Sequence, residues 1–388
     1  MTRAVPAFRS TLAAAAVMSC LAATACSRGR SGQTSAGDVA QAATPTPACD
    51  ARSNDAAAAL CESRAFLASL SEEQRAQIVL PMTAQNAAMW SNLPYPLAKR
   101  NGIWLKDLTD SQRAAAFRLA KVALSNAGFA TFQSLRLADS VLAKAFADRT
   151  PRAGGPPAGG APGGGGMPQL QFGENYYILA FLGTPSDTGR WMLQIGGHHF
   201  GANLTYRGGS RVEGSTPYFV GVEPQRFTIG GVTYMPLQPR KVATYAMINS
   251  LDASQRKAAQ LSSTFDDVVV GPGKDGKFPT SEGLSGGALT AQQRTLVRDA
   301  IASWVKDVPD ATSRALLADY VTDDALKATR VAWATSTDTT ARGSYVRIDG
   351  PRVWIEFVCQ GGVIFRDQIH FHTIWRDKKT DYGASFSQ

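Results

Sequence analysis

The chain has 388 residues and four histidines, which fall in two tight pairs: His198-His199 in GGHHFG, and His370-x-His372 in IHFHTIWRD. Imidazole is the commonest metal ligand and the side chain that exchanges protons near neutral pH. Residues i and i+2 of a strand point to one face, so His370 and His372 have the spacing of a chelating strand. Arg366 and Gln368 share that face, while Ile369, Phe371 and Trp375 point the other way. His198 and His199 are adjacent, so a strand sends them to opposite faces unless Gly196-Gly197 supplies a bulge. His199, alternating with Asn203 and Thr205, is the expected partner of the second pair, and His198 goes with Phe200 and Leu204.

Two or three imidazoles with an open position suit a divalent transition metal: zinc, copper or iron. Zinc would activate water for hydrolysis, whereas copper or iron would bind oxygen or pass electrons. Glu356 is available as a carboxylate ligand or base, and Arg366 or Arg376 could hold an anionic substrate. Asp377 and Asp381 are close enough in sequence to orient an imidazole from behind. The competing reading is a hydrogen-bonded structural network, in which the charged residues of TIWRDKKTDYG satisfy the histidines without a metal.

These side chains need a frame, and a repeated phrase supplies its start. LSEEQR at Leu70, LTDSQR at Leu108, LDASQR at Leu251 and LTAQQR at Leu289 each place Ser, Thr or Asp three residues ahead of Gln. That is a capping box, so four helices are expected to begin there. Apolar residues recur at three- and four-residue spacing after Thr109 and after Thr290. Strand-like sequence follows each helical stretch, over 176–206 and 344–375, with Gly, Pro and Asp at the turns. The two passages share a phrase: Tyr177, Gly183, Pro185, Arg190, Trp191 and Gly196-Gly197 run in the order of Tyr345, Gly350, Pro351, Arg352, Trp354 and Gly361-Gly362. The fold expected is therefore α+β, with two related lobes, each of helices followed by an antiparallel β-meander, over 49–240 and 241–388. The lobes would face each other across a histidine-lined cleft.

Residues 1–26 read as an export signal. Arg3 and Arg9 precede an apolar stretch too short for a comfortable span, and Ala23-Thr24-Ala25-Cys26 has the form of a lipobox. Cys26 would then carry the lipid that anchors the chain to a membrane surface, with ordinary secretion to the periplasm or beyond as the alternative. Residues 27–48 are a flexible tether of small and polar residues, and the Gly/Pro-rich stretch 151–168 is a disordered insertion. Cys49 and Cys61 are expected to form a disulfide in an exported protein. Cys359, in an apolar run, is expected to be a buried, inert thiol. Asp267 to Val270 reads as a short strand.

The formal charge is +9, but Lys and Arg are scattered, so no nucleic-acid groove is outlined. Gly283-x-Ser285-x-Gly287 matches a hydrolase elbow in spacing only, because no apolar strand precedes it. Phosphate-loop and dinucleotide fingerprints are absent from the sequence.

The GGHHF run after Trp191, the segment TPYFVGVEP from Thr216, the Gln293-Arg294 helix and IHFHTIWRDKKTDYG together resemble the bacterial domain-of-unknown-function 3500 family, over about Phe66 to Gly383. The resemblance implies an exported, often lipoprotein-like protein with these histidine segments, and it supplies no mechanism. The residues themselves point to a metal-dependent enzyme, hydrolase or oxidoreductase, acting on a small-molecule or envelope substrate. A non-catalytic metal- or ligand-binding lipoprotein is the alternative.

Overall fold

The computed structural model describes Cys49, residues 54–149 and residues 170–386. The segments expected to be the export signal with Cys26, the tether and the disordered insertion at 151–168 lie outside these described residues.

In chain order the first half contributes α1 (Asp55–Ala68), α2 (Glu72–Ile78), β1 (Val79–Leu80), α3 (Ala84–Ala87), β2 (Ile103–Trp104), α4 (Asp110–Ala123) and α5 (Asn126–Arg149). Strands β3 (Tyr177–Leu182), β4 (Arg190–Gly197), β5 (Phe200–Arg207), β6 (Arg211–Gly214) and β7 (Tyr218–Val222) follow. A small hairpin of β8 (Phe227–Ile229) and β9 (Val232–Tyr234) leads to the second half. That half has α6 (Gln238–Asn249), α7 (Ala253–Ala259), β10 (Leu284–Ser285), α8 (Ala291–Val305), α9 (Asp310–Tyr320) and α10 (Asp323–Ala328). It ends with β11 (Arg330–Ala334), β12 (Tyr345–Asp349), β13 (Val353–Gly361) and β14 (Ile369–Asp377).

The α+β reading holds, with helices preceding antiparallel strands in each half. All four capping boxes form, at Ser71, Thr109, Asp252 and Thr290, with the glutamine side chain returning to the cap in each. The strands do not make two facing sheets, however. They join one 12-stranded sheet in the order β1-β3-β4-β5-β7-β14-β13-β12-β11-β10, with β2 and β6 at the side. The expected cleft between lobes is therefore replaced by an edge-to-edge seam in which β7 pairs antiparallel with β14. The shared phrase also misaligns the halves. Tyr177 and Trp191 lie on β3 and β4, but Tyr345 and Trp354 lie on β12 and β13, although β11 is the strand that, like β3, pairs with a short strand placed just ahead of a capped helix.

One face of the sheet carries the main core, where Phe132, Ile301 and Trp304 of the helices meet Leu179, Trp191, Val220, Phe357 and Trp375. β3 is buried along its whole length, which is why its sequence YILAFL lacks alternation. The opposite face packs against loops and the short α3, with Trp90 and Ala87 over Met192, Phe219 and Ile374, and Leu261 and Phe265 over Ala332 and Tyr345. Asp267–Val270 belongs to this loop cover and is not a strand. The Val269 and Val270 amides donate to the Glu356 carboxylate, so they are unavailable to a ladder. Cys49 and Cys61 are bonded, and Cys359 is a buried free thiol that burial pushes up to about 11. Among the described residues no helix is long and apolar enough to cross a membrane.

Candidate functional site

The seam brings the histidine pairs together. His198 and His199 are the two residues of the tight turn between β4 and β5, closed by the Gly197–Phe200 pair. This corrects the expectation of opposite strand faces: in the turn their rings stack, with centroids 3.7 Å apart. His199 adopts a left-handed backbone, φ 60°, and is held there on both sides. Its N–H donates to the Asn92 carbonyl at 3.1 Å, and its carbonyl accepts from the Gly221 N–H at 2.8 Å. Gly221 also pairs with His372 across the seam. A side chain at Gly221 is excluded, since a Cβ would stand 2.9 Å from ring carbons of both His199 and His372. The His199 ring centroid lies 5.5 Å from that of His370 and 5.2 Å from that of His372.

Three of the rings are anchored at Nδ1. His370 meets the Gly361 carbonyl at 3.0 Å, His372 meets Asp267 at 2.8 Å, and His198 meets Asp139 at 2.7 Å. A carbonyl only accepts, so Nδ1 of His370 must carry the hydrogen, and neutral His370 then has a lone pair at Nε2. The same holds for His372 against an ionised Asp267. Burial pushes the Asp267 carboxyl up, but the His372 hydrogen bond and charge, the Val268 amide and His370 together keep it below the ordinary value. The two Nε2 atoms face each other at 3.1 Å. Two acceptor lone pairs at that range repel unless a cation lies between them.

At His370 and His199, protonation is a poor way to supply that cation. Burial, with His372 next to it, pushes His370 down to about 3. Burial and the three neighbouring imidazoles hold His199 well below the usual histidine range. Two nitrogens bound tetrahedrally to one metal at 2.0–2.1 Å stand about 3.3 Å apart, close to the spacing seen. His199, His370 and His372 form one group of buried ligand atoms that could hold an ion, and Asp139, His198 and His199 form another, all within 4.8 Å of one another in each.

The other side chains with expected roles lie outside this cluster. Glu356 is fully buried on β13 opposite Ile374, about 7 Å along the strand from Val358, which pairs with His372. Its oxygens accept from Trp354 Nε1, Tyr345 Oη and the Val269 and Val270 amides. Arg376 is clamped by the Val270 and Gly271 carbonyls and by Asp275 and Asp381. Asp377 engages Arg352 and Tyr320. Arg366 precedes β14 and is exposed in the turn from β13. Ser285 lies in the short β10, with its hydroxyl on the Lys327 carbonyl.

Sequence reasoning missed Asp139, Asp267 and Arg100. Asp139 sits on α5 between the buried Leu135 and Leu142, an ionisable group on an apolar helical face, and that was the available signal. Arg100 Nη2 donates to the Ser91 and Gly197 carbonyls, while its Nε and Nη1 are buried without a hydrogen-bond partner. Phe172 packs on His198 and Phe219 on His372, with ring centroids 5.1 and 5.2 Å away. All four rings are nearly closed to solvent, the most accessible being His198 at 8%.

No curated protein and no solved structure matches the chain. One family does, that described as Protein of unknown function (DUF3500), over residues 52–384. That span includes both histidine pairs and both of their orienting carboxylates, and the chain belongs to that family.

Proposed function

We propose that the protein is an exported, lipid-anchored metal-dependent enzyme in which His199, His370 and His372 hold one divalent transition metal ion, with His198 at its edge. The observation that carries this reading is the facing pair of Nε2 acceptors on His370 and His372. A bound zinc, copper or iron ion would supply Lewis-acid or redox chemistry at its open position. The chain's own residues do the remainder. Asp267 and the Gly361 carbonyl fix the two β14 rings, and Asp139 fixes His198. Phe172 and Phe219 keep bulk water away. Arg100, one guanidinium edge free beside the carbonyl that precedes His198, is suited to an oxyanion. Glu356 acts at one remove, by holding the loop that carries Asp267.

Export is supported by the Cys49–Cys61 disulfide, a bond that persists in oxidising compartments. A non-catalytic metal-binding lipoprotein is the second reading, and it is favoured by the low accessibility of the four rings.

Metal analysis of protein purified without a histidine tag and dialysed against zinc, copper(II) or iron(II) should find about one equivalent. His370→Ala with His372→Ala should lower this to near zero while the circular dichroism spectrum is kept. Wild-type protein that retains none of the three ions would refute the metal centre. Turnover on a panel of small esters, phosphates and peroxides then separates enzyme from binder. Cys26→Ser should move the protein from the membrane fraction to the soluble one.

A further inference from the structure

The two halves repeat one another in detail. Gln112 Nε2 donates to Gln74 and to the Ser69 carbonyl, 38 and 43 positions away, and Gln293 Nε2 donates to Gln255 and to the Ser250 carbonyl, again 38 and 43 positions away. Gly102 and Gly283 both have positive φ, and a Cβ on either would strike the carbonyl and alanine of the adjoining strand, Leu179 and Ala180 in one case and Val331 and Ala332 in the other. Each glycine leads into a short strand, β2 or β10, then a single 3-10 turn and a capped helix, α4 or α8. The sheet reads β3-β4-β5-β7 from one side and β11-β12-β13-β14 from the other, meeting at the antiparallel seam.

This register gives the histidine turn a counterpart. β4 and β5 are joined by His198-His199 after Gly197; β12 and β13 are joined by Pro351-Arg352 after Gly350, whose N–H bonds to the Val353 carbonyl. Arg352 thus stands where His199 stands. β6 pairs with β5 as the His370–His372 stretch of β14 pairs with β13, so Arg211–Gly214 takes the place of the second histidine pair. The two replacements meet again: Arg352, Arg211 and Glu213 line one cavity of about 360 Å³, together with Asp319 and Thr380.

We infer that the chain is two copies of one unit about a pseudo-two-fold axis through the β7–β14 seam, and that the Arg352 cavity is the counterpart of the histidine site, with a guanidinium as its resident cation in place of a metal. Arg352 forks onto Asp377 and pairs with Asp319, and Tyr320 donates to the same Asp377. It ties the β12–β13 turn to the end of β14 and to α9. At the histidine end the β4–β5 turn faces β14 and α5 through His199, His198 and Asp139; no guanidinium hydrogen-bonds to these side chains, and Arg100 reaches only the Gly197 carbonyl that precedes His198. One end carries a guanidinium on the turn itself, at Arg352, and the other carries an imidazole at the equivalent position, His199, where a bound ion would take the guanidinium's place. The metal half of this inference rests on the reading proposed above.

Zinc titration of the full mature chain, with thermal melts, tests both halves. Wild type and Arg352→Ala should each bind one equivalent, and Arg352→Ala should melt about 3–6 °C lower. Arg352→Lys, which keeps the charge and loses the fork, should fall between. His370→Ala with His372→Ala should bind none. A second equivalent that survives this double substitution would overturn the inference, since the counterpart would then be a metal site itself. An Arg352→Ala melt equal to wild type would overturn it as well. Zinc-free wild type with a destabilised Arg352→Ala would instead refute the metal reading and leave the duplicated architecture standing.

Discussion

His199 and His370 are stable as neutral rings at the seam, and this gives the protein a pH signature. His370 titrates near 3 when folded, against an ordinary value of 6.5, and His199 is depressed in the same direction. Below about pH 6.5 the unfolded chain takes up protons that the folded chain refuses, so stability present above that pH is lost as pH falls toward 3. The slope approaches about 1.4 kcal/mol per pH unit for each such group. Melting of the metal-free protein should drop steadily from pH 6.5 to 4.5, and His370→Gln should flatten the curve by about one group's share. A melting curve level across that range would contradict the buried, neutral assignment. The histidines were legible in the sequence because four imidazoles in two clusters are unusual whatever the fold. Their anchors were not: Asp139 comes from a helix and Asp267 from a loop, and neither spacing nor pattern links them to histidines 59 and 105 positions away.

Local signals gave the elements, and long-range competition decided the exceptions. Capping boxes were readable because both partners lie within four residues. The GGHH stretch continued a strand pattern, yet two residues of it turn the chain, a choice stabilised by Asn92 from a distant loop. Asp267–Val270 is β-branched and looked extended, but its amides found Glu356 first. The seam itself depends on Gly221. Gly221→Ala would push a methyl against His199, His372 and the Phe371 carbonyl. We expect a cost of about 1–3 kcal/mol and a fall of about 10–100-fold in metal affinity, read by chelator competition. Unchanged affinity would mean that β7 does not set the spacing of the rings.

At the scale of the whole molecule, the sequence showed helices before strands twice over, and it could not show that the two runs of strands merge. Two sheets and one sheet need the same alternation, and the difference lies in the β7–β14 pairing, which joins residues about 150 positions apart. The shared Tyr-Gly-Pro-Arg-Trp phrase misled by one strand because aromatic and turn residues recur at every hairpin. If the halves are equivalent units, their order along the chain should matter little. Asn54 and Thr380 line the same cavity, so the ends are near each other. A circular permutant that links Gln388 to Cys49 and opens ahead of Gln238 should fold, melt within a few degrees of wild type and bind the same metal. An insoluble or metal-free permutant would count against interchangeable units.

The seam also sets the distance between the histidine end and the Arg352 end. The β4–β5 turn and the β12–β13 turn lie at opposite ends of antiparallel strands, and Asn54, just ahead of α1, lines the cavity at the second of these ends. The imidazoles therefore stand about 20–25 Å from the Arg352 end, the span from His370 to Asp377. A ligand held at one end is too far from the other for direct contact, so any coupling between the two runs through the β7–β14 strands.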